Sequence, residues 1–212
     1  MLRRIGWLAP LALVCLASLS ARAQDKWVSL FDGKSLDGWE INDFSKSTKW
    51  EVVDGELRGS GGASMITSTK GPYKNFRFRA EVKINDKGNS GMYFRCKNTK
   101  PGFTDGYEAQ INATHGDPIR TGSLYTMVHL YEAAHKADEW FTEEIECKDV
   151  NYRGKVVTAI KISVNGKVLF ETNDFTRQFG PGYFSFQQHD PGSKVSLRKI
   201  EVMELPNTTG DK

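Results

Sequence analysis

Three residue types that together support acid–base chemistry at a carbon atom occur in two separate parts of the chain. Glu108 offers a carboxylate, Arg95 a cation and His189 an imidazole. A carboxylate can remove a proton, a cation can hold a developing oxyanion, and an imidazole can protonate a leaving oxygen. Glu108, Arg95 and His189 are therefore the candidate catalytic residues of this sequence.

The carboxylate and the cation lie in segment 88–111, which contains two short runs of alternating residues. In a strand, successive side chains point to opposite faces. The run 91–97 separates Met92, Phe94 and Cys96 from Tyr93, Arg95 and Lys97. The run 106–111 separates Tyr107, Ala109 and Ile111 from Glu108 and Gln110. If the two runs are neighbouring strands, Arg95 and Glu108 share one polar sheet face.

The imidazole ends a third alternating run, residues 183–189. Phe184 and Phe186 take the core-facing phase, and Ser185, Gln187 and His189 take the other. This pattern predicts a polar cluster on one concave sheet, formed by Arg95, Glu108, Gln110, Gln187 and His189. It also fits an Arg–Glu pair that only neutralises a half-exposed sheet surface, and the residues alone leave both interpretations open.

The elements that would carry this cluster are short strands throughout. The run 76–84 alternates from Phe76 to Ile84, and Asp54-Gly55 and Asn165-Gly166 each separate two strand-like runs, which indicates hairpins. Residues 27–31 predict an edge strand, and a short helix is expected only at 129–139. The sequence therefore predicts an all-β fold, a sandwich or jelly roll of two antiparallel sheets.

The first 23 residues have the features of a secretory signal peptide. Arg3 and Arg4 precede an apolar run at 5–19, and Ala21-Arg22-Ala23 is a small-x-small cleavage pattern. The run is shorter than the roughly 20 residues that span a bilayer, so we expect no membrane span and a secreted or periplasmic protein. Residues 24–206 are expected to form one domain, and 207–212 a C-terminal tail.

Charge argues against a nucleic-acid partner. The chain has 29 basic and 26 acidic residues, but residues 1–23 contain three arginines and no acid, so the remainder is formally neutral.

Cys96 and Cys147 are the cysteines outside the leader and Cys15 lies within it. An oxidising compartment would let Cys96 and Cys147 pair, although both also suit buried free thiols, so their pairing stays open.

Several motifs occur in the order in which they appear in a known family. They are FDGKSLDGW, GNSGMYFR, GYEAQI, TGSLY, an NG hairpin, FSFQQH and a final IEVMEL. From about residue 27 to residue 205 the chain closely resembles the family once called a domain of unknown function and now named 3-keto-disaccharide hydrolase. The resemblance implies a concanavalin A-like jelly roll of the lectin and glucanase type. It also implies an enzyme that acts on glycosides already oxidised at C3.

A ketone at C3 acidifies the C2 proton, so a base can remove it and the resulting enolate can expel the group at C1. For the chemistry that the resemblance implies, we take Glu108 as the base, Arg95 as the cation that stabilises the enolate and His189 as the acid or second base. We expect Asn89, Ser90, Gln110 and Gln187 to bind sugar hydroxyls, and Tyr93 and Tyr125 to contact the C–H side of a pyranose. A carbohydrate-binding module without catalysis would use the same face and is the alternative.

Neither a metal nor an organic cofactor is expected, although a divalent cation that assists the enolate stays open. His115, His129 and His135 do not have a metal-binding spacing, but His115, Asp117 and Arg120 are candidates for a loop at the site. The acidic run 143–146 is similar to the acidic strand of retaining jelly-roll glucanases but lacks the intervening aspartate of that strand. Departures from the family at 126–138, 147–156 and Asp190 affect substrate choice more than fold. The sequence leaves the oligomeric state open.

Overall fold

Strands form the regular structure of the computed structural model, which describes residues 26–210. Their bounds are β1 Val28–Ser29, β2 Trp39–Asp43, β3 Thr48–Val53, β4 Glu56–Gly61, β5 Ser64–Ser68, β6 Phe76–Ile84, β7 Ser90–Cys96, β8 Tyr107–Ile111, β9 Phe141–Tyr152, β10 Lys155–Val164, β11 Lys167–Asp174, β12 Tyr183–Gln188 and β13 Val195–Glu204. The expected signal peptide, residues 1–23, lies outside the described residues. Among residues 26–210 there is no helix with the length and hydrophobicity needed to cross a membrane.

The strands form two antiparallel sheets. The larger sheet has the order β11-β10-β9-β6-β13-β4-β3, with β1 paired to β13, and the smaller has the order β2-β5-β12-β7-β8. Most neighbours within the smaller sheet are distant in sequence, as in a jelly roll. This arrangement confirms the predicted all-β, two-sheet architecture.

Both predicted hairpins are present. Asp54 and Gly55 join β3 to β4, and Asn165 and Gly166 join β10 to β11. All four residues have positive φ, from 50° to 78°. Two consecutive positive φ values define the type I′ turn, whose twist matches that of the flanking strands.

The core lies between the sheets and follows the predicted alternation. The inward residues of β6 are fully buried, while Arg77, Arg79 and Glu81 on its outer face pair with Glu144, Glu201 and Arg198 of neighbouring strands. Phe184 of β12 stacks on Phe78 from the opposite sheet, and Phe186 packs against Phe78 with its ring tilted. The residues of β8 on the same side, Tyr107, Ala109 and Ile111, also join this core. These contacts fix which face of β8 and β12 points away from the core.

One local prediction is wrong, and another is confirmed only in part. Segment 129–139 is not helical; His135 in it stacks on Phe141 with a centroid distance of 3.7 Å and bonds to Thr121, and these tertiary contacts hold the segment in an irregular conformation. The strand expected at 27–31 is limited to Val28–Ser29.

Cys96 and Cys147 are both free thiols. Cys147 lies in the core between the sheets, whereas Cys96 belongs to a separate small cluster with Met65 and Tyr93.

Candidate functional site

A pocket of about 320 Å³ opens on the face of the smaller sheet that points away from the core. Its floor consists of residues of β7, β8 and β12, and its walls come from the loops that follow β7 and β8. The lining residues include Asn89, Tyr93, Phe103, Glu108, Gln110, Asp117, Tyr125, Met127, Phe179, Gln187 and His189. A concave, partly enclosed site with a few convergent polar groups is typical of small-molecule binding.

Glu108 lies at the centre of the floor. Its strand neighbour is Tyr93, and the Tyr93 hydroxyl hydrogen-bonds its carboxylate. Burial raises the pKa of Glu108 to about 8, and the negative charge of Asp117 adds to this shift, while the bond from Tyr93 opposes it. A carboxylate with a pKa near the working pH has the basicity that proton abstraction from carbon requires.

Gly91 makes room for this carboxylate. It lies on β7 opposite Gln110, and it is two residues from Tyr93, on the same face of the strand. A Cβ atom at this position would overlap Glu108 Oε1 and would lie 2.7 Å from Tyr93 Cε2. The glycine between Ser90 and Met92 therefore lets the Glu108 side chain lie flat across the sheet, where it reaches the Tyr93 hydroxyl.

Asp117 and Tyr125 form one wall. The Tyr125 hydroxyl donates to Asp117 Oδ2 at 2.9 Å, and the Tyr125 amide donates to the Glu108 carbonyl oxygen at 2.9 Å. The second bond ties this loop to the edge of β8, and Leu124 forms a bridge to Ala109 beside it. The wall is thus an extension of the sheet, and it holds the Asp117 charge close to Glu108.

Three buried amide side chains point their polar groups into or beside the pocket. The side-chain oxygens of Asn89, Gln110 and Gln187 have no hydrogen-bond partner among the described residues. Gln187 Nε2 donates to the Tyr93 hydroxyl at 3.1 Å, which places Gln187 beside Glu108. Buried polar atoms normally have partners, so these amides are suited to bind a ligand rich in hydroxyl groups.

His189 follows β12 at the rim. Its Nδ1 lies 2.9 Å from Asp190 Oδ2, and its ring is 5.7 Å from that of His115, centroid to centroid. The potential ligand atoms of His115, His189 and Asp190 all lie within 4.8 Å of one another, a geometry that suits a divalent cation. The loop expected from His115 and Asp117 therefore does lie at the site.

The position expected for Arg95 is wrong. Residues 94 and 95 of β7 lie opposite the single residue 184 of β12, which makes a β-bulge, and Arg95 has a φ of 53°. The bulge reverses the alternation, so Arg95 points into the core and Cys96 points to the outer face. Arg95 is fully buried and bonds to Asp149 Oδ1 at 2.8 Å, to Thr158 and to the carbonyl oxygens of Lys74 and Phe179.

Ser90 also fails to reach the pocket. Its buried hydroxyl donates to the Gln187 carbonyl oxygen at 2.6 Å, so it joins β7 to β12. Among the other candidates, Asn89, Tyr93, Glu108, Gln110, Tyr125, Gln187 and His189 all line the pocket. Sequence reasoning missed Phe103, Met127 and Phe179, because loop aromatics and methionines carry no periodic signal of where they pack.

Comparison with known proteins identifies the family of this chain. Residues 26–203 match the model of the family described as the 3-keto-alpha-glucoside-1,2-lyase-like domain. The chain belongs to this family. A 3-keto-disaccharide hydrolase of Bacteroides thetaiotaomicron is 27% identical over an alignment of 164 residues, and the match covers 63% of this chain. The match covers 55% of that relative, so the chain corresponds to little more than half of its length.

Solved structures support the fold. A candidate glycosyl hydrolase from Parabacteroides distasonis has a TM-score of 0.67 and 23% identity, over 85% of this chain and 94% of that one. A Bacillus subtilis protein of unknown function with a galectin-like fold has a TM-score of 0.54 and 12% identity, over 86% of this chain and 96% of that one. The domain is thus a concanavalin A-like and galectin-like jelly roll, and the family is one of carbohydrate-active proteins.

Proposed function

We propose that this protein is an exported enzyme that cleaves 3-keto-glycosides by proton abstraction at C2, elimination at C1 and hydration. Glu108 carries the proposal, because it combines a central position on the pocket floor with a pKa raised by burial to about 8. Membership of the 3-keto-alpha-glucoside-1,2-lyase-like family directs this chemistry to a keto-sugar.

In the first step Glu108 takes the proton from C2, and the electron pair moves toward the C3 carbonyl to give an enolate. The enolate then expels the C1 oxygen substituent, which takes a proton and leaves as an alcohol. The other product is a 2-hydroxy-3-keto-glycal. Addition of water across its C1–C2 double bond places a hydroxyl on C1 and a proton on C2, so the net reaction is hydrolysis and needs no organic redox cofactor.

The groups around Glu108 suit these roles. His189 lies at the rim, where an imidazole can protonate the leaving oxygen. Arg95 is buried in the core and is replaced in the enolate-stabilising role by neutral donors that line the pocket, the side-chain amides of Asn89 and Gln110. Neutral donors are consistent with a raised pKa for Glu108, because a nearby cation would have lowered it.

The second candidate is a carbohydrate-binding module that uses the same pocket without catalysis. It is favoured by the side-chain oxygens of Asn89, Gln110 and Gln187, which are free to accept hydrogen bonds from sugar hydroxyls. A binding module has no need of a carboxylate with raised pKa at its centre, and for this reason we prefer the enzyme.

The test is incubation of the purified protein with a 3-keto-disaccharide and, separately, with its unoxidised parent. We expect turnover of the keto-sugar and none of the parent. Glu108→Gln should reduce turnover by at least about 1,000-fold without unfolding the protein, while Glu171→Gln on β11 of the other sheet should have no effect. Turnover of the parent alone would contradict the mechanism, and binding without turnover of either would favour the module.

A further inference from the structure

Two phenylalanines continue the pocket beyond its rim. Phe103 lines the pocket and lies nearly parallel to the His189 ring, with a centroid distance of 6.1 Å. Phe44 packs edge-to-face on Phe103 at 5.2 Å and is 45% exposed. Phe103 and Phe44, which we call the aromatic arm, thus form an apolar surface that begins beside His189 in the pocket and continues to an exposed ring.

The loop that carries Phe103 is firmly attached to the sheet. Asn42 Nδ2 donates to the carbonyl oxygens of Lys100 and Pro101 at 3.1 and 3.2 Å, and Thr99 Oγ1 donates to Glu40 Oε2 at 2.8 Å. The Asn42 amide of β2 donates and the Glu40 carboxylate of β2 accepts, so these two side chains hold the loop against the outer face of the smaller sheet. Binding of a ligand to the aromatic arm would therefore not carry the free-energy cost of ordering this loop.

The packing beneath Phe103 also fixes its orientation. Phe103 rests on the small cluster of Met65, Tyr93 and Cys96, which is separate from the main core. Cys96 belongs to this cluster because the bulge at Arg95 turns it outward. The position of the aromatic arm is consequently set by the same backbone irregularity that removes Arg95 from the pocket.

The chemistry of the two regions differs. The floor presents a carboxylate, a phenol and three amides, which suit the ketone and hydroxyls of the reacting sugar. The aromatic arm presents phenyl rings and lies beside His189, the group that faces the leaving oxygen in the proposed reaction. The substituent carried by that oxygen would therefore extend along Phe103 toward Phe44.

We propose that the aromatic arm binds the leaving group, and that it selects 3-keto-glycosides with a planar aromatic aglycone. Ring-to-ring contacts are favourable when a planar group meets the face or edge of phenylalanine, and an alkyl group or a hydrated sugar gains less from them. The proposal rests on the function proposed above, because it takes the leaving oxygen to lie at His189.

The experiment compares 4-nitrophenyl and methyl 3-keto-glucosides, in both anomers, with the wild type and Phe44→Ala. Phe44 is not among the residues that line the pocket, and because it is 45% exposed we expect the variant to fold. We expect kcat/KM for the nitrophenyl substrate to fall about threefold to tenfold, mainly through KM, and that for the methyl substrate to stay within twofold. Because each substrate is compared with itself, the greater reactivity of nitrophenolate cancels.

Two controls sharpen the result. Tyr152→Ala removes a ring from β9 of the other sheet whose exposure, 40%, is similar to that of Phe44, and it should leave kcat/KM for both substrates unchanged. A 3-keto-disaccharide reports on a sugar leaving group, and an equal loss with it would overturn the selection of aromatic aglycones. Equal values for wild type and Phe44→Ala with the nitrophenyl substrate would overturn the aromatic arm itself.

Failure of the proposed function has a different signature, which is no turnover of either substrate by the wild type. Equilibrium titration of the two glycosides then decides about the aromatic arm. Weaker binding of the nitrophenyl glycoside to Phe44→Ala, with unchanged binding of the methyl glycoside, would support it. Unchanged binding of both would overturn it.

Discussion

Glu108 is expected to impose a specific pH dependence on the reaction. Only its ionised form can remove a proton, and burial raises its pKa to about 8, so kcat/KM should increase with pH until about pH 8. Asp117→Asn removes the neighbouring negative charge, so it should lower the pKa of Glu108 and move this acidic limb to lower pH. Rates measured from pH 5 to 9 test both points, and a limb near pH 4.5 in the wild type would contradict them.

Glu143 is a second buried carboxyl with a consequence for stability. It lies on β9 between the sheets and is fully buried, and the Gly122 amide is the backbone group that opposes the effect of this burial on its pKa. Burial raises its pKa well above the ordinary value. Between the unfolded pKa of about 4.3 and the higher folded pKa, the unfolded chain loses a proton that the folded chain keeps, so stability falls as pH rises.

Glu143→Gln removes this penalty. The variant should be more stable than the wild type at pH 7.5 by about 1 kcal/mol or more, and the difference should vanish near pH 4. Melting temperatures at the two pH values measure it, with Glu171→Gln as an exposed control. A variant that is less stable at pH 7.5 would mean that Glu143 has an interaction which offsets its burial.

At the scale of the strand, β7 shows how far the sequence predicts the site. Alternation placed Glu108 and Gln110 correctly on β8, and Gln187 correctly on β12, because those strands pair without interruption up to the pocket. The alternation predicts the wrong face for Arg95, because it assumes that neighbouring strands pair one residue to one, and β7 has an extra residue at the bulge. The bulge depends on a partner strand almost 90 residues away, which no local pattern reveals.

The buried position of Arg95 predicts a structural phenotype. Asp149 also pairs with Arg177 at 2.8 Å, but Arg95→Met would still remove an ion pair and the donors to two backbone carbonyls in the core. We expect a loss of about 3–5 kcal/mol in unfolding free energy. Arg77→Met, which breaks an outer ion pair, should cost about 1 kcal/mol at most.

Urea unfolding of the two variants separates the roles. A destabilised Arg95→Met whose folded fraction has near-normal kcat supports a structural role for the arginine. Unchanged stability with abolished turnover would instead return Arg95 to the reaction and contradict the placement described here.

For the whole molecule, the sequence predicts the two-sheet sandwich better than it predicts the loops that cover the smaller sheet. Turn pairs such as Asn165-Gly166 and the alternation of β6 define strands and faces through local rules. The loops 97–106 and 112–138 cover the outer face of the smaller sheet and create the pocket, and their conformations depend on distant contacts such as Asn42 with Lys100. Function in jelly rolls varies with such loops while the sandwich persists.

The central claim, that Glu108 removes the C2 proton, is tested most directly by the fate of that hydrogen. The reaction is run in D₂O with a 3-keto-disaccharide, and the early product is examined by NMR against a sample without enzyme that corrects for spontaneous exchange. Elimination followed by hydration predicts a 3-keto-sugar with deuterium at C2, and Glu108→Gln should form none. A product that keeps its original hydrogen at C2 would contradict the account.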